Sequence, residues 1–383
     1  MGKHKIPEGS LISFMSNKVK TYGGINLAQG LPGFNPPEEL TRNLEILAKT
    51  NIHQYAPGNG NAKLIDLIAE NHKNKANIGT GNILITTGAT EAIALIFIYL
   101  SKKIGEKFGV LAFDPVYESY RNLPPVFGHN FISFSYTPEN KIDFEQLEKT
   151  IAENNIKVIF AGSPGNPYGR VLSKEEISAI LGICKKHNSY FVFDAVYKEL
   201  YFDKPVPLPF EDFSPNIFFV DSFSKMLSIT GWRIGYLIAH NEHINNIKTI
   251  HDYTSLSSPS ILQEAIADFL EKSDFGADYL EKLRNKTIKS FKFAERELSL
   301  NGFSTPAIDG GYFVWTKLPE QFESGLDFAI DFYDEEKVAV VPGIHFSRGS
   351  DCFIRINIAK PLEEIQNSLE LLKKFISNHN KQL

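Results

Sequence analysis

The stretch IFFVDSFSKMLSITGWRIG, at residues 217–235, joins an apolar run to a lysine and an arginine. The run at its start, 217–220, is typical of a buried strand. Lys225 follows among small and hydroxyl residues, and Arg233 lies eight residues beyond it. Burial and a nearby cation lower the pKa of a lysine, whose neutral amine can then attack an aldehyde, and the guanidinium of Arg233 suits a phosphate. Because a lysine near a strand end is more often an exposed surface residue, this interpretation needs support from other segments.

Similar apolar runs alternate with helical patterns on both sides of this stretch. Their continuous apolar character is typical of strands that helices cover on both faces. The runs lie at residues 83–85, 110–113, 158–160, 190–193, 217–220 and 234–239. The sequence therefore predicts an α/β layered domain.

A second region follows residue 276. Residues 276–300 are charged with a helical pattern, and short apolar runs come at 311–315, 338–341 and 353–358. Apolar residues spaced over 362–376 give one face of a final helix. We interpret this region as a smaller α+β domain.

The composition excludes several classes of protein. With 40 basic and 45 acidic residues, the net charge of -5 provides no positive field for nucleic acid. The longest apolar run, 92–100, is far shorter than the ~20 residues that cross a bilayer, and residues 1–10 lack a signal peptide's apolar segment. Cys184 and Cys352 form no CxxC pair, which favours a reduced, cytoplasmic location. His240 and His243 have no third ligand near them in the sequence, so we predict no metal site.

Polar residues follow two other strands of the predicted sheet. Asp194 comes directly after the run 190–193, at the carboxyl end of a buried strand, where α/β sheets bind ligands. A carboxylate there can keep a pyridine nitrogen protonated and make the ring an electron sink. Tyr197 and Asn166, the latter in SPGNPYG at 163–169, are candidate donors to a phenolic oxygen. Without context, Asp194 would more often be a cap or turn residue, and Asn-Pro a simple turn. Together with Lys225, these groups suit pyridoxal phosphate (PLP).

A phosphate site is indicated by TTGATEA at 86–92, which has the pattern of a strand, a tight turn and a helix start. The backbone amides of Gly88, Ala89 and Thr90 would then point outward, unpaired, at the positive end of a helix dipole. An ordinary capped helix would show the same pattern. Tyr117 follows the next strand, and its ring could stack on a cofactor or pack in the core.

In this order, the segments resemble the class I and II aminotransferases of PLP fold type I. The resemblance extends from NLAQGLPGF at 26–34 to Arg355. It implies a large PLP-binding domain at 37–276, with a mostly parallel seven-stranded sheet between helices. It also implies a small α+β domain at 277–383, against which an N-terminal segment, 1–36, packs. The expected protein is a homodimer with active sites at the subunit boundary.

The resemblance assigns the cofactor contacts. Lys225 carries the Schiff base and is the catalytic residue, and Asp194 meets the pyridine nitrogen. Tyr55, in QYAPGNG at 54–60, reaches the phosphate of the neighbouring subunit. Asn166 and Tyr197 are assigned to the phenolic oxygen of the cofactor. Ser222, Ser224 and Arg233 are assigned to its phosphate.

The resemblance also assigns the substrate contacts. Arg355, in FIRIN at 353–357, matches the arginine for the substrate α-carboxylate, and the Gly30 backbone lies over the substrate. Asn166 is assigned to the substrate as well as to the cofactor. An arginine within an apolar strand is costly to bury without an anion, unless its side chain extends to solvent.

Within the family, the chain most resembles the kynurenine and methionine aminotransferase branch, through QGLPGF at 29–34, FDPVYESY at 113–120 and HDY at 251–253. It departs from the family pattern at Tyr168, where threonine is usual, and at Ala195, where glutamate is usual. No arginine is assigned by pattern to a distal carboxylate, while 30 Phe and 15 Tyr are present. We therefore expect transfer from a large neutral amino acid (methionine, glutamine or an aromatic one) to a 2-oxo acid by ping-pong kinetics.

Two other functions share these residues. A PLP-dependent carbon-sulfur lyase of the same fold would differ only in its products, ammonia and a thiol. A non-catalytic PLP-binding sensor is less favoured, since such proteins carry a DNA-binding module ahead of the fold and about 25 residues precede Asn26 here.

Overall fold

The computed structural model of the protein describes residues 3–73, 78–211 and 213–380. Their helices are α1 (Leu11–Tyr22), α2 (Glu38–Leu47), α3 (Ala62–His72), α4 (Ala89–Ile104), α5 (Glu118–Val126), α6 (Phe144–Glu153), α7 (Lys174–His187), α8 (Phe223–Met226), α9 (Asn241–Thr254), α10 (Ser260–Lys272), α11 (Ala277–Leu300), α12 (Gly325–Glu336) and α13 (Leu362–Asn380). Their strands are β1 (Ile25–Asn26), β2 (Ile83–Thr86), β3 (Gly109–Asp114), β4 (Asn130–Ser135), β5 (Ile156–Gly162), β6 (Tyr190–Asp194), β7 (Ile217–Ser222), β8 (Gly235–Ala239), β9 (Phe313–Lys317), β10 (Val338–Ala339), β11 (Val341–Pro342) and β12 (Phe353–Asn357). Within these ranges, no helix is long and apolar enough to cross a membrane.

The central sheet has seven strands in the order β2-β8-β7-β6-β5-β3-β4. Strand β8 runs antiparallel to both of its neighbours, and the other pairs are parallel. The predicted α/β class with a mostly parallel sheet is therefore confirmed. Strand β4 was not predicted, because it lies at the edge with most of its residues at least partly exposed and so lacks a continuous apolar run.

Alternate residues of the strands enter two apolar layers on opposite faces of the sheet. In β7, Ile217 and Phe219 belong to the layer that contains residues of α3, α7 and α10. Phe218 and Val220 belong to the layer with residues of α4 and α9. Because both faces of the sheet are covered, the strands are continuous apolar runs in the sequence. The carboxyl ends of all strands of this sheet except β8 lie along one edge.

The C-terminal region contains the antiparallel sheet β11-β12-β9. The apolar run 338–341 divides into β10, which pairs with β1, and the start of β11, which pairs with β12. The apolar run 311–315 overlaps β9, which begins at Phe313. Leu11, Met15 and Leu27 share a core with this region. We propose the domain boundaries 1–36, 37–276 and 277–383 on the basis of these separate cores.

Candidate active site

Lys225 lies just beyond the carboxyl end of β7, in the helical turn α8 instead of the loop that the sequence predicted. The turn forms because the Ser222 hydroxyl oxygen accepts a hydrogen bond from the Ser224 amide at 3.1 Å. The Tyr312 hydroxyl donates to the Lys225 carbonyl at 2.5 Å, and the Lys225 amine donates to the Gly30 carbonyl. The lysine is thus held between the N-terminal segment and the C-terminal region.

The environment of Lys225 favours the neutral amine. Burial lowers the pKa of Lys225 to about 7, and the guanidinium groups of Arg355 and Arg233 act in the same direction. The sequence indicated Arg233 for this effect. Arg355 contributes more, but it is so distant along the chain that only the fold reveals it. A lysine with such a pKa can act as nucleophile and base near neutral pH.

The lowered pKa predicts a pH-dependent stability for the cofactor-free protein. Between about pH 7 and the ordinary lysine pKa of 10.5, the unfolded chain binds a proton at Lys225 that the folded chain does not. Wild-type stability should therefore rise with pH across that window. Each pKa unit corresponds to about 1.4 kcal/mol. Lys225→Met should accordingly be more stable than wild type by a few kcal/mol at pH 6, and this gain should shrink towards pH 10. Urea titrations of both proteins at several pH values measure the difference in their free energies of unfolding. A difference that does not depend on pH would contradict the prediction.

Asp194 ends β6, as predicted, and is buried at the base of the site. Burial raises the pKa of Asp194 to about 6, although hydrogen bonds oppose this shift. These bonds come from the Tyr120 hydroxyl at 2.5 Å and the Val196 amide at 3.1 Å. Tyr120 was missed by the sequence analysis. Its spacing of three residues from Tyr117 at the start of α5 was the available signal, because such a spacing places side chains on one helix face.

Tyr197, Tyr117 and Asn166 lie around the same space. The Tyr197 ring centroid is 5.9 Å from the Lys225 amine nitrogen, and burial raises the pKa of Tyr197, so that its hydroxyl stays a donor. The Asn166 side-chain oxygen accepts a hydrogen bond from Arg355 at 2.8 Å. Its amide nitrogen can therefore face the site.

The start of α4 and Arg233 form the end of the site that suits a phosphate. Gly88 has φ 77°, and a Cβ atom there would collide with the Arg233 guanidinium, which donates to the Thr87 carbonyl at 3.4 Å. The prediction of an unpaired Gly88 amide is wrong, because this amide donates to the Thr86 carbonyl at 2.7 Å. Ala89 begins the helix, so a guanidinium and a helix N-terminus meet here. Both favour an anion.

Arg355 lies in β12 and is 1% exposed, so its side chain does not extend to solvent. Its guanidinium carbon lies 4.1 Å from the Phe313 ring centroid and 4.8 Å from that of Phe346. It donates to Asn166 and to the Ala28 carbonyl, while its Nε atom has no hydrogen-bond partner among the described residues. Burial lowers the pKa of Arg355 to about 10, which still leaves it charged. A buried cation without an ion-pair partner in the described part of the chain suits an incoming carboxylate.

One cavity of about 530 Å³ joins these groups. Most of the predicted site residues line it: Gly30, Ala89, Thr90, Tyr117, Asn166, Asp194, Tyr197, Ser222, Ser224, Lys225, Arg233 and Arg355. Gly88 lies behind the lining, against Arg233. Tyr55 lies outside this cavity and is 84% exposed. The lining residues that the sequence analysis missed include Ile12, Ser13, Glu118, Tyr120 and Phe313. Of these, Ile12 and Ser13 carry no local signal, because only the packing of α1 brings them to the site.

Comparisons with known proteins agree with this arrangement. Residues 22–372 match the family model described as aminotransferase class I and II. A "Probable aspartate aminotransferase" of Methanocaldococcus jannaschii is 29% identical, over 92% of this chain and 93% of that protein. A protein of Saccharomyces cerevisiae named as a probable kynurenine–oxoglutarate transaminase is also 29% identical, over 94% and 88%. The structure of Thermus thermophilus aspartate aminotransferase with maleate has the same fold, with a TM-score of 0.88 at 21% identity, over 98% of this chain and all of that one.

The chain therefore belongs to the class I and II aminotransferases. Enzymes of this family and fold use PLP, and the residues fit that cofactor. An amine with a lowered pKa, a carboxylate buried at a strand end and an anion-binding helix start all face one cavity. This chain is accordingly a PLP-dependent transaminase.

Proposed function

We propose that the enzyme transfers the amino group of a large, neutral L-amino acid to a 2-oxo acid in a ping-pong cycle. One observation carries this proposal. An amine with a lowered pKa, Lys225, and a buried guanidinium, Arg355, face the same cavity. The amine can move a proton at the substrate Cα while the guanidinium holds the α-carboxylate beside it.

We propose the following roles for the site residues. PLP, when bound, links to Lys225 and supplies the electron sink for the substrate Cα. Lys225 would act as the base at the substrate Cα and then as the acid that returns the proton. Asp194 holds the pyridine nitrogen protonated, and Arg355 orients the substrate. Asn166 and Tyr197 would donate to the phenolic oxygen, the Tyr117 ring would stack on the cofactor, and the Gly30 backbone would lie over the substrate. The helix start at Ala89 and Thr90, together with Ser222, Ser224 and Arg233, would hold the phosphate.

The substrate proposal rests on the charges of the cavity. The cations of its described lining are Lys225, Arg233 and Arg355, and each has a role above. None of them is left for a carboxylate at the end of the substrate side chain. The names of the relatives differ between aspartate and kynurenine, so they do not decide the substrate.

We also propose a cytoplasmic homodimer in which Tyr55 reaches the phosphate site of the partner subunit. The exposure of Tyr55 outside its own cavity supports this arrangement. Sedimentation of the holoenzyme measures the mass, and a monomer would contradict the proposal.

A half-reaction screen tests the proposed function. The PLP-loaded enzyme is mixed with single L-amino acids, and absorbance shows which of them convert it to the pyridoxamine form. We expect conversion by methionine, glutamine or an aromatic amino acid, with release of the matching 2-oxo acid. Release of ammonia and a thiol would instead identify a carbon-sulfur lyase.

Asp194→Asn should slow the half-reaction with the best amino acid by more than about tenfold, roughly 1.4 kcal/mol of barrier. The amide has a similar volume at the end of β6, but it cannot stabilise a protonated pyridine nitrogen. Stopped-flow absorbance measures the rate. Tyr120→Phe is the matched control, because it removes the 2.5 Å hydrogen bond and keeps the carboxylate. It should have a smaller effect, and an Asp194→Asn enzyme as fast as wild type would exclude the proposed role.

A further inference from the structure

One charged residue of the cavity has no role in the scheme above. Glu118, the first residue of α5, lines the cavity next to Tyr117. The other charged residues of the described lining are committed to the cofactor, the proton transfer or the α-carboxylate: Asp194, Lys225, Arg233 and Arg355. Glu118 is thus available to a different part of the substrate.

The direct contacts of Glu118 leave its charge uncompensated. One carboxylate oxygen accepts a hydrogen bond from the Ser10 hydroxyl at 3.2 Å. The other lies 3.4 Å from Nε2 of His345. This nitrogen atom forms no hydrogen bond among the described residues. Burial lowers the pKa of His345 to about 3, so this imidazole is neutral at physiological pH. The Glu118 side chain is 25% exposed, so its field is only partly screened.

Two guanidinium groups act on Glu118 from a distance, and both have other anions. Arg121 donates to the His345 carbonyl at 2.6 Å and also interacts with Asp114. Arg355 is proposed for the substrate α-carboxylate. In the substrate complex, these two cations therefore face three carboxylates. A fourth carboxylate near Glu118 would be repelled.

Glu118 lines the side of the cavity that α1 and α5 form. Ile12 and Ser13 of α1 line the same cavity, and Ser10, the residue before that helix, contacts the Glu118 carboxylate. Glu118 therefore lies where the N-terminal segment meets α5. The cofactor contacts of the cavity come mainly from the ends of the central strands.

We propose that Glu118 selects amino acids whose side chain ends in an N–H donor and rejects those that end in a carboxylate. This inference rests on the proposed function. An amide or ammonium group donates a charge-assisted hydrogen bond to Glu118, whereas a second carboxylate meets a like charge. Glutamine and glutamate have nearly the same shape. The ratio of their second-order rate constants therefore measures the recognition of the side-chain end by Glu118.

The experiment compares half-reactions of the PLP-loaded wild type and Glu118→Gln with glutamine, glutamate, ornithine and methionine. We expect wild type to prefer glutamine to glutamate by on the order of thirtyfold or more in second-order rate constant. In Glu118→Gln this ratio should fall at least tenfold, mainly through faster reaction with glutamate. Methionine, which has an uncharged end without a donor, should react at a rate within twofold of wild type. The comparison of ornithine with glutamine distinguishes recognition of an ammonium donor from recognition of an amide donor.

Glu139→Gln is the matched control, because it removes one negative charge from an exposed position outside the cavity. Its glutamine-to-glutamate ratio should equal that of wild type. A wild-type ratio near one, or a ratio unchanged in Glu118→Gln, would overturn the inference.

A binding measurement separates this inference from the proposed function. Calorimetric titration of the holoenzyme with glutarate and with its monoamide gives dissociation constants without turnover. The monoamide should bind more tightly to wild type, and Glu118→Gln should bind the two about equally. If no amino acid reacts, the proposed function fails, and these constants still decide the role of Glu118. Equal binding of both ligands to wild type would reject it.

Discussion

Replacing Lys225 by alanine should lower the rate of amino-group transfer by about 100-fold to 10,000-fold. This is the usual contribution of a positioned acid–base group. The lowered pKa of Lys225 makes it the group of this cavity suited to move a proton at the substrate Cα near neutral pH. The variant should still bind PLP, because Asp194, Arg233 and the start of α4 remain. Single-turnover absorbance measures the loss, and turnover comparable to wild type would exclude Lys225 as the base.

The covalent link to the cofactor gives a second measurement on Lys225. Wild-type enzyme should be yellow, and borohydride should bleach it and attach PLP to a single peptide that contains Lys225. Lys225→Ala should acquire no label under the same conditions. Label on another lysine in the wild-type protein would contradict the assignment.

Replacing Arg355 by leucine should lower kcat/KM for every amino acid by roughly thirtyfold to several thousandfold. Losing the desolvated partner of a carboxylate costs about 2 to 5 kcal/mol. The wild-type guanidinium is fixed between Phe313 and Phe346, so little reorganisation is needed when the substrate binds. The variant should still bind PLP, because Lys225, Asp194 and Arg233 remain.

A matched pair of substrates separates carboxylate binding from a general loss of structure. Wild type should strongly prefer an amino acid to the decarboxylated amine with the same side chain, and Arg355→Leu should not. Arg355→Lys should recover little, since an ammonium cannot reproduce two parallel hydrogen bonds. A leucine variant that keeps the full preference would show that the carboxylate is held elsewhere.

The sequence predicts the central sheet well because its strands are covered on both faces. Six of its seven strands are continuous apolar runs, whereas the edge strand β4 is not and was missed. The run 338–341 shows what an apolar pattern cannot predict. Its four residues are all buried, but a short apolar run contains no information on its partners. Only the fold shows that it divides between β1 and β12.

The candidate site was predictable where a residue lies at the end of a strand or within a few residues of it. Asp194, Ser222 and Lys225 are of this kind. The influence of Arg355 on the pKa of Lys225 was not predictable, because it depends on how the C-terminal region packs over the central sheet. Glu118 was overlooked for another reason. A glutamate at a helix start is commonly a favourable partner of the helix dipole, so its type and position do not distinguish it.

The parallel pairing of Ile25–Asn26 with Val338–Ala339 has a consequence for protein synthesis. A nascent chain leaves the ribosome amino end first, and domains generally fold as they emerge. All strands of the central sheet, which end at residue 239, are available before β10 has been translated. Until then Leu11 and Met15 lack the core that they occupy in the finished protein, and they are open to chaperones. The wall that α1 contributes to the catalytic cavity is therefore assembled only after the whole central sheet has been translated.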